Sequence, residues 1–237
     1  MTSYSITYNM RMERIFKNRL RDMNKLFQVK DPMSALSHFI GFLMSIVAMP
    51  VLLIYAFQMQ RKQTLIVAYA IYLLSMILLY GASSAYHSFS ISERGNRILK
   101  KIDHISVCIL IAGTYTPVCI GVMDPVKGRI LLIAVWTVAL MGMILKAFFV
   151  YVPRYVSTIM YLLMGWLALW YLPDLYHMMS TAPFFFLLLG GILYSIGSLI
   201  YAIRKPLISL DGFGNHELFH LFVLGGSLCH YVMMFLI

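Results

Sequence analysis

The chain has 237 residues, of which 61% are hydrophobic and only 12% are charged. Soluble domains carry about 45 to 50% apolar and about 25% charged residues, so this composition excludes an ordinary soluble protein and indicates one embedded in lipid. The formal net charge is +10, but the Lys and Arg residues stand in short segments between apolar runs. We therefore predict no nucleic-acid partner and interpret these charges as signals of membrane topology.

Residues 1–33 form a basic segment that lacks the apolar stretch and cleavage site of a signal peptide. Between Met12 and Phe27, apolar residues recur at helical spacing with cationic residues among them. This pattern predicts a cytoplasmic amphipathic helix lying on anionic headgroups. A disordered basic tail is the alternative interpretation.

Residues 34–237 contain apolar runs repeated at the length needed to cross a bilayer. They predict one all-α integral membrane domain with seven transmembrane helices. The predicted spans are residues 34–57, 64–87, 103–121, 130–148, 156–171, 183–203 and 216–237.

The orientation of these spans follows from the distribution of Lys and Arg over alternate connecting segments. Fifteen of the 19 Lys and Arg residues fall on the side of the N-terminal segment, and this count includes Lys146 as a flanking residue. Because cytoplasmic loops carry the excess of positive charge, the N-terminus is predicted inside and the C-terminus outside.

The three cysteines, Cys108, Cys119 and Cys229, all lie within apolar runs. Their odd number and lack of paired spacing argue against a disulfide framework. We expect them, like Gly113, to pack between helices.

Ionisable residues fall at the ends of three spans that are far apart in sequence: His87, Asp103, His216 and His220. With the predicted topology, all four lie on the cytoplasmic side. His216 and His220 are four residues apart and share one helix face. Together with His87 they offer three neutral nitrogen ligands, which suits Zn²⁺ and leaves a fourth position for water.

Two further residues fit such a site. Ser83 lies one helical turn before His87, and Asp103 begins the next predicted span. Both could hydrogen-bond a water at the metal, with Asp103 as general base. Taken singly, these residues have plainer interpretations, since a histidine at a helix end is commonly interfacial, Asp103 suits a helix cap, and Ser83 suits helix packing.

Residues 216–220 also read HELFH, the HExxH pattern of zinc proteases in which the glutamate is the general base. In intramembrane proteases of that type the third ligand comes from a later helix, whereas here the pattern opens the last span. The protease interpretation is therefore the weaker one. Among the other histidines, His38 fits a packing or interface role, and contact with a headgroup or with the surroundings of the metal is its alternative. His104 points about 100° away from Asp103, and His230 lies about 15 Å beyond His220 along the helix.

Three motifs carry a family resemblance: SSAYH at 83–87, DHISVCILIAGTYTP at 103–117 and HELFHLFVLGGSLCHY at 216–231. They resemble the bacterial hemolysin III proteins, which belong with the progestin and adipoQ receptors (PAQR) in a ceramidase-like superfamily. The resemblance implies seven helices, zinc held by His87, His216 and His220, and Ser83 and Asp103 beside it. It also implies a multi-pass protein of the bacterial plasma membrane.

The function that the resemblance implies is a zinc-dependent hydrolase of a lipid amide or ester, or a regulator of membrane lipid homeostasis. A non-enzymatic receptor-like regulator with structural zinc and a membrane-lysing hemolysin are the alternatives. Membrane lipids are the predicted partners, and the sequence identifies neither a protein partner nor an oligomeric state.

Overall fold

The computed structural model describes residues 29–203, 205, 207–208 and 213–237. Seven segments of this part are helical, long enough and apolar enough to cross a membrane, which confirms the predicted fold class. The amphipathic helix predicted between Met12 and Phe27 lies outside the described residues.

The first four spans are single helices, α1 to α4. The fifth span consists of α5, a short 3-10 helix and α6, and the last two spans are α7 and α8. Their bounds are α1 Pro32–Gln58, α2 Gln63–Ser88, α3 Glu93–Gly121, α4 Pro125–Phe148, α5 Arg154–Gly165, 3-10 Leu167–Tyr171, α6 Leu172–Met178, α7 Thr181–Ala202 and α8 Asn215–Leu236.

The helices close into a ring around the interior of the bundle. Helices α1 to α4 pack in chain order, α7 packs against α8, α8 returns to α1, and α5 bridges α7 and α3. One end of this ring gathers the start of α1, the end of α2, the start of α3 and the start of α8. We refer to it as the histidine end, because His87 and His216 lie there.

Helix α2 is tied to α8 by tyrosine side chains. The hydroxyl groups of Tyr69 and Tyr72 donate to the backbone oxygens of Met234 and Ser227, at 2.9 and 3.1 Å. The hydroxyl of Tyr80 donates to Ser227 Oγ at 2.5 Å. These bonds satisfy phenol groups that would otherwise be costly to bury, and they fix the position of α8 along the axis of α2.

Helix α3 begins ten residues before the predicted third span. It starts at Glu93, where the Ser92 hydroxyl accepts a hydrogen bond from Gly95 N at 3.0 Å. The predicted start of this helix at residue 103 was wrong, because hydropathy marks only the point at which a helix enters the lipid. The first turns of α3 lie before that point and carry basic residues suited to the interface.

The fifth span differs from the prediction in length and in regularity. It runs from Arg154 to Met178 instead of residues 156–171, and its α-helix is interrupted after Gly165. Tyr115 of α3 compensates for the interruption, since its hydroxyl donates to Gly165 O at 2.6 Å and accepts from Ala168 N at 3.1 Å. Irregular backbone at membrane depth is tolerated where protein groups satisfy it in this way.

Lys146, counted above among the flanking charges, is fully buried near the end of α4. Its ammonium group donates a hydrogen bond to the buried Ser157 of α5. It therefore belongs to the interior of the bundle and is not a loop charge.

The small residues singled out in the sequence serve packing, as expected. Cys108, Cys119 and Cys229 are buried and unpaired. Gly113 lies so close to Ser75 of α2 that a methyl group in its place would overlap that side chain.

Candidate metal centre

The three predicted metal ligands meet at the histidine end. Each of His87, His216 and His220 offers a ring nitrogen, and these nitrogens all lie within 4.8 Å of one another. His87 comes from the last turn of α2, and the other two come from the first turns of α8. The juxtaposition of α2 and α8 thus joins residues more than a hundred positions apart.

The spacing of the nitrogens suits a shared cation. The Nε2 atoms of His87 and His216 are 3.1 Å apart. Two nitrogens at about 2.0 to 2.1 Å from a tetrahedral zinc ion lie about 3.3 to 3.4 Å from each other. The three imidazoles could therefore hold one metal ion.

The orientation of His87 is set by Asp31, the residue before α1. His87 Nδ1 donates to Asp31 Oδ2 at 2.8 Å, and the backbone N–H of Asp31 donates to His87 O at 2.9 Å. Because a carboxylate only accepts, the ring proton resides on Nδ1 and leaves the Nε2 lone pair facing His216. This is the carboxylate–histidine arrangement that supports metal ligands in proteins.

His220 has a comparable contact from the same helix. Its Nδ1 atom lies 3.3 Å from the hydroxyl oxygen of Ser37, which leaves Nε2 directed toward the cluster. The residue before α1 and the second turn of α1 therefore contact the outer ring nitrogens of two of the three histidines.

A cavity of about 140 Å³ extends from the histidine cluster into the bundle. Ser83 and Asp103 line it together with His216 and His220. Ser83 is buried and Asp103 is partly buried. The structure thus places both residues on the wall of the cavity that His216 and His220 also line.

The rest of the cavity is mainly apolar and lies between α3, α5, α7 and α8. Its walls include Val107, Ile111, Leu162 and Val223, and it reaches His230 on the far side. His230 donates from Nε2 to Leu187 O at 3.2 Å and does not join the cluster. His104 lines the cavity but is absent from the group of ligating nitrogens found among the described residues.

His38, for which contact with the metal site was the weaker expectation, lies against one of the candidate ligands. Its ring stacks on that of His220 with a centroid distance of 3.6 Å, and its side chain is buried at the cavity wall. Neither ring nitrogen has a hydrogen-bond partner among the described residues. The spacing of Ser34, Ser37 and His38 puts these polar residues on one face of α1, which indicates that this face packs against protein. The spacing does not reveal that His220 is the neighbour.

Glu217, the acid of the HExxH pattern, has structural partners on both carboxylate oxygens. Oε1 accepts from the Ser34 hydroxyl at 2.6 Å, and Oε2 accepts from Gly214 N at 2.8 Å. The second bond caps α8 at its N-terminus. Glu217 therefore holds α8 against α1, and the cavity lining contains Asp103 instead.

Fold and site together define a multi-pass membrane protein in which a largely buried cluster of three histidines faces an apolar internal cavity. A model of the family described as haemolysin-III related matches residues 27–231, and the chain belongs to this family.

Two Bacillus proteins support the assignment over most of their lengths. The chain is 40% identical to the hemolysin-3 homolog of Bacillus subtilis (strain 168) over 203 residues, which is 85% of this chain and 92% of the relative. It is 38% identical to hemolysin-3 of Bacillus cereus, over 82% of this chain and 85% of the relative. With the seven spans, these relatives identify a multi-pass bacterial membrane protein.

A more distant similarity links the chain to the receptor branch of the same group. The adiponectin receptor protein of Drosophila melanogaster is 25% identical over 191 residues, covering 70% of this chain and 41% of the relative.

Proposed function

We propose that the protein binds one zinc ion through His87, His216 and His220 and hydrolyses an amide or ester bond of a membrane lipid. The observation that carries this proposal is the opening of the histidine cluster onto an apolar cavity whose wall also holds Asp103 and Ser83. The apolar lining of the cavity suits the hydrocarbon part of a lipid, and the polar linkage of that lipid would lie at the cluster.

When bound, zinc supplies Lewis acidity and makes water nucleophilic near neutral pH. In the proposed reaction, Asp103 accepts a proton from the attacking water, and Ser83 orients that water by a hydrogen bond. The water oxygen forms a bond to the carbonyl carbon, and the C–N or C–O bond breaks. Asp103 then returns the proton to the leaving amine or alcohol, which yields a carboxylic acid and the second product.

A second function is favoured by a different observation. The contacts of Asp31 with His87 and of His87 with His216 connect the start of α1, the end of α2 and the start of α8. Zinc in this position would join α2 to α8, with the start of α1 attached through Asp31, and such a structural role suits a receptor-like regulator without turnover. Under this alternative, loss of the metal abolishes the regulatory function, whereas substitution of Asp103 alone leaves that function intact.

The decisive first experiment is metal analysis of the detergent-purified protein by elemental mass spectrometry. We expect about one zinc per chain, lost in folded His87→Ala, His216→Ala and His220→Ala variants. His177→Ala is the matched control, because His177 is exposed at the opposite end of the bundle. Zinc that is absent from the wild type, or indifferent to all three substitutions, would refute the site.

Membrane lysis, which the names of the Bacillus relatives suggest, is tested separately. If lysis is not the activity of the protein, dye-loaded liposomes should retain their dye when purified protein is reconstituted into them at increasing density. Release that rises with protein density and persists in His216→Ala would replace the hydrolase proposal with the lytic one.

A further inference from the structure

Three cationic side chains at the histidine end are each held over a tyrosine ring. Lys30 Nζ lies 3.6 Å from the ring centroid of Tyr86, and Lys100 Nζ lies 4.5 Å from that of Tyr151. The guanidinium carbon of Arg154 lies 5.4 Å from the ring centroid of Tyr201. Such contacts restrict long, flexible side chains to defined positions.

Two of these tyrosines stand directly beside the histidine cluster. The ring centroid of Tyr86 is 4.8 Å from that of His87, and the centroid of Tyr201 is 5.7 Å from that of His216. Lys30 and Arg154 are therefore each separated from a candidate metal ligand by a single aromatic ring.

Lys100 approaches the same place from a third direction. It precedes Asp103 by three residues on α3, so the two side chains project from one face of that helix. Asp103 and Tyr201 both line the cavity at this end. The three cations thus lie at the histidine end of the bundle, on α3, at the start of α5 and in the segment before α1.

In the described part of the chain, the only ion pair that these three cations form is that of Lys30 with Asp31. Lys100 and Arg154 form no ion pair there, and Lys30 is 3.8 Å from Asp31. The same Asp31 oxygen already accepts from His87 at 2.8 Å, and both Glu217 oxygens are engaged elsewhere. Like charges gathered at one rim favour the binding of an anion.

We propose that Lys30, Lys100 and Arg154 form a binding site for the phosphate group of an anionic lipid at the mouth of the cavity. Two observations favour a phosphate carried on a lipid over a free anion: the rim lies where the membrane-spanning helices end, and the space behind it is apolar. Arginine and lysine are the usual partners of phosphate oxygens. A phosphate seated at this rim would place its acyl chain in the cavity.

The consequence for substrate choice rests on the proposed function. If the histidine centre is hydrolytic, its substrate is an anionic phospholipid or a related phosphate-bearing lipid, and the bond cleaved is the acyl linkage nearest the phosphate. Headgroup binding itself needs neither zinc nor turnover, so the two proposals fail independently.

The experiment measures binding of short-chain phosphatidylglycerol, phosphatidylcholine with the same chains, and inorganic phosphate to the detergent-solubilised full chain. We expect phosphatidylglycerol to bind at least about tenfold more tightly than either other ligand, with an affinity that falls as salt is raised. The double variant Lys100→Gln/Arg154→Gln should lose this preference.

A matched double variant, Arg94→Gln/Lys101→Gln, removes the same net charge, in this case entirely from the start of α3, and should keep the preference. Lys100→Arg/Arg154→Lys preserves the charges and should also keep it, which guards against loss through misfolding. His216→Ala should still prefer phosphatidylglycerol, and this separates headgroup binding from the metal proposal.

Three results would overturn the headgroup site. The first is equal affinity for the two lipids. The second is an equal loss in both double variants, which would indicate a diffuse surface potential. The third is binding of inorganic phosphate as tight as that of phosphatidylglycerol, which would indicate a soluble anion.

Discussion

The orientation of His87 depends on a residue outside its own helix. Asp31 precedes α1, yet its carboxylate holds the Nδ1 proton of His87 at the end of α2. Such carboxylate contacts fix the tautomer and the ring plane of a ligating histidine, and their loss commonly weakens metal binding by about 10- to 100-fold.

We therefore expect Asp31→Ala to lower zinc affinity by about 10- to 100-fold without unfolding the protein. Competition with a chromophoric chelator would measure this change. Asp174→Ala is the control, because Asp174 pairs with the exposed Lys127 at the opposite end of the bundle. Unchanged affinity in Asp31→Ala would show that the contact with His87 does not support a metal ligand.

Asp103 and Glu217 are the two acids that compete for the role of general base. Asp103 lines the cavity, whereas Glu217 caps α8 and bonds Ser34. We expect Asp103→Asn to retain zinc and lose about 10²- to 10⁴-fold of the hydrolysis rate, because proton transfer contributes on that scale. Glu217→Gln should keep most of the rate.

A fluorogenic lipid ester or amide assayed with metal-loaded variants would measure both effects. If Glu217→Gln abolished turnover and Asp103→Asn did not, the protease-like assignment of the HExxH pattern would be favoured. If neither substitution changed the rate, proton transfer by these acids would be refuted.

At the level of elements, two kinds of glycine have different functions in the bundle. A Cβ at Gly128 of α4 would overlap the backbone oxygen of Cys119 in α3, so close contact of these helices depends on that glycine. A Cβ at Gly191 of α7 would meet no atom within 4 Å, because this residue borders the cavity.

The same substitution should therefore have opposite outcomes at the two positions. Gly128→Ala is expected to destabilise the protein by about 1 to 3 kcal/mol through overpacking. Gly191→Ala should be neutral or slightly stabilising, since alanine favours a helix over glycine by about 1 kcal/mol. Thermal unfolding in one detergent would compare them, and equal midpoints would contradict the close contact of α3 and α4.

At the level of the whole molecule, the orientation in the membrane is a prediction of the charge distribution. It places the connection between α1 and α2 outside and the connection between α2 and α3 inside. Single substitutions Lys62→Cys and Ser90→Cys would report these two sides. The three native cysteines are buried and should contribute little background.

A membrane-impermeant maleimide applied to intact cells should label Lys62→Cys and should label Ser90→Cys only after the membrane is opened. The wild-type chain is the control for labelling of native cysteines. The reverse pattern would place the histidine cluster and its cationic rim on the outer side, and it would refute the predicted orientation.

The amino-acid sequence by itself determined the number of spans and the placement of the histidines at one end. Both depend on local properties: the hydropathy of a run of residues sets a span, and a spacing of four puts His216 and His220 on one helix face. The resemblance of three motifs added the family, which the comparisons confirm.

Only the tertiary structure decided which residues surround the cluster. Asp31 reaches His87 across 56 positions and Ser37 reaches His220 across 183, and no local pattern encodes such contacts. The interruption of the fifth span likewise depends on Tyr115 from another helix. These features arise where helices pack side by side, because partners there are chosen by proximity in space and not by spacing along the chain.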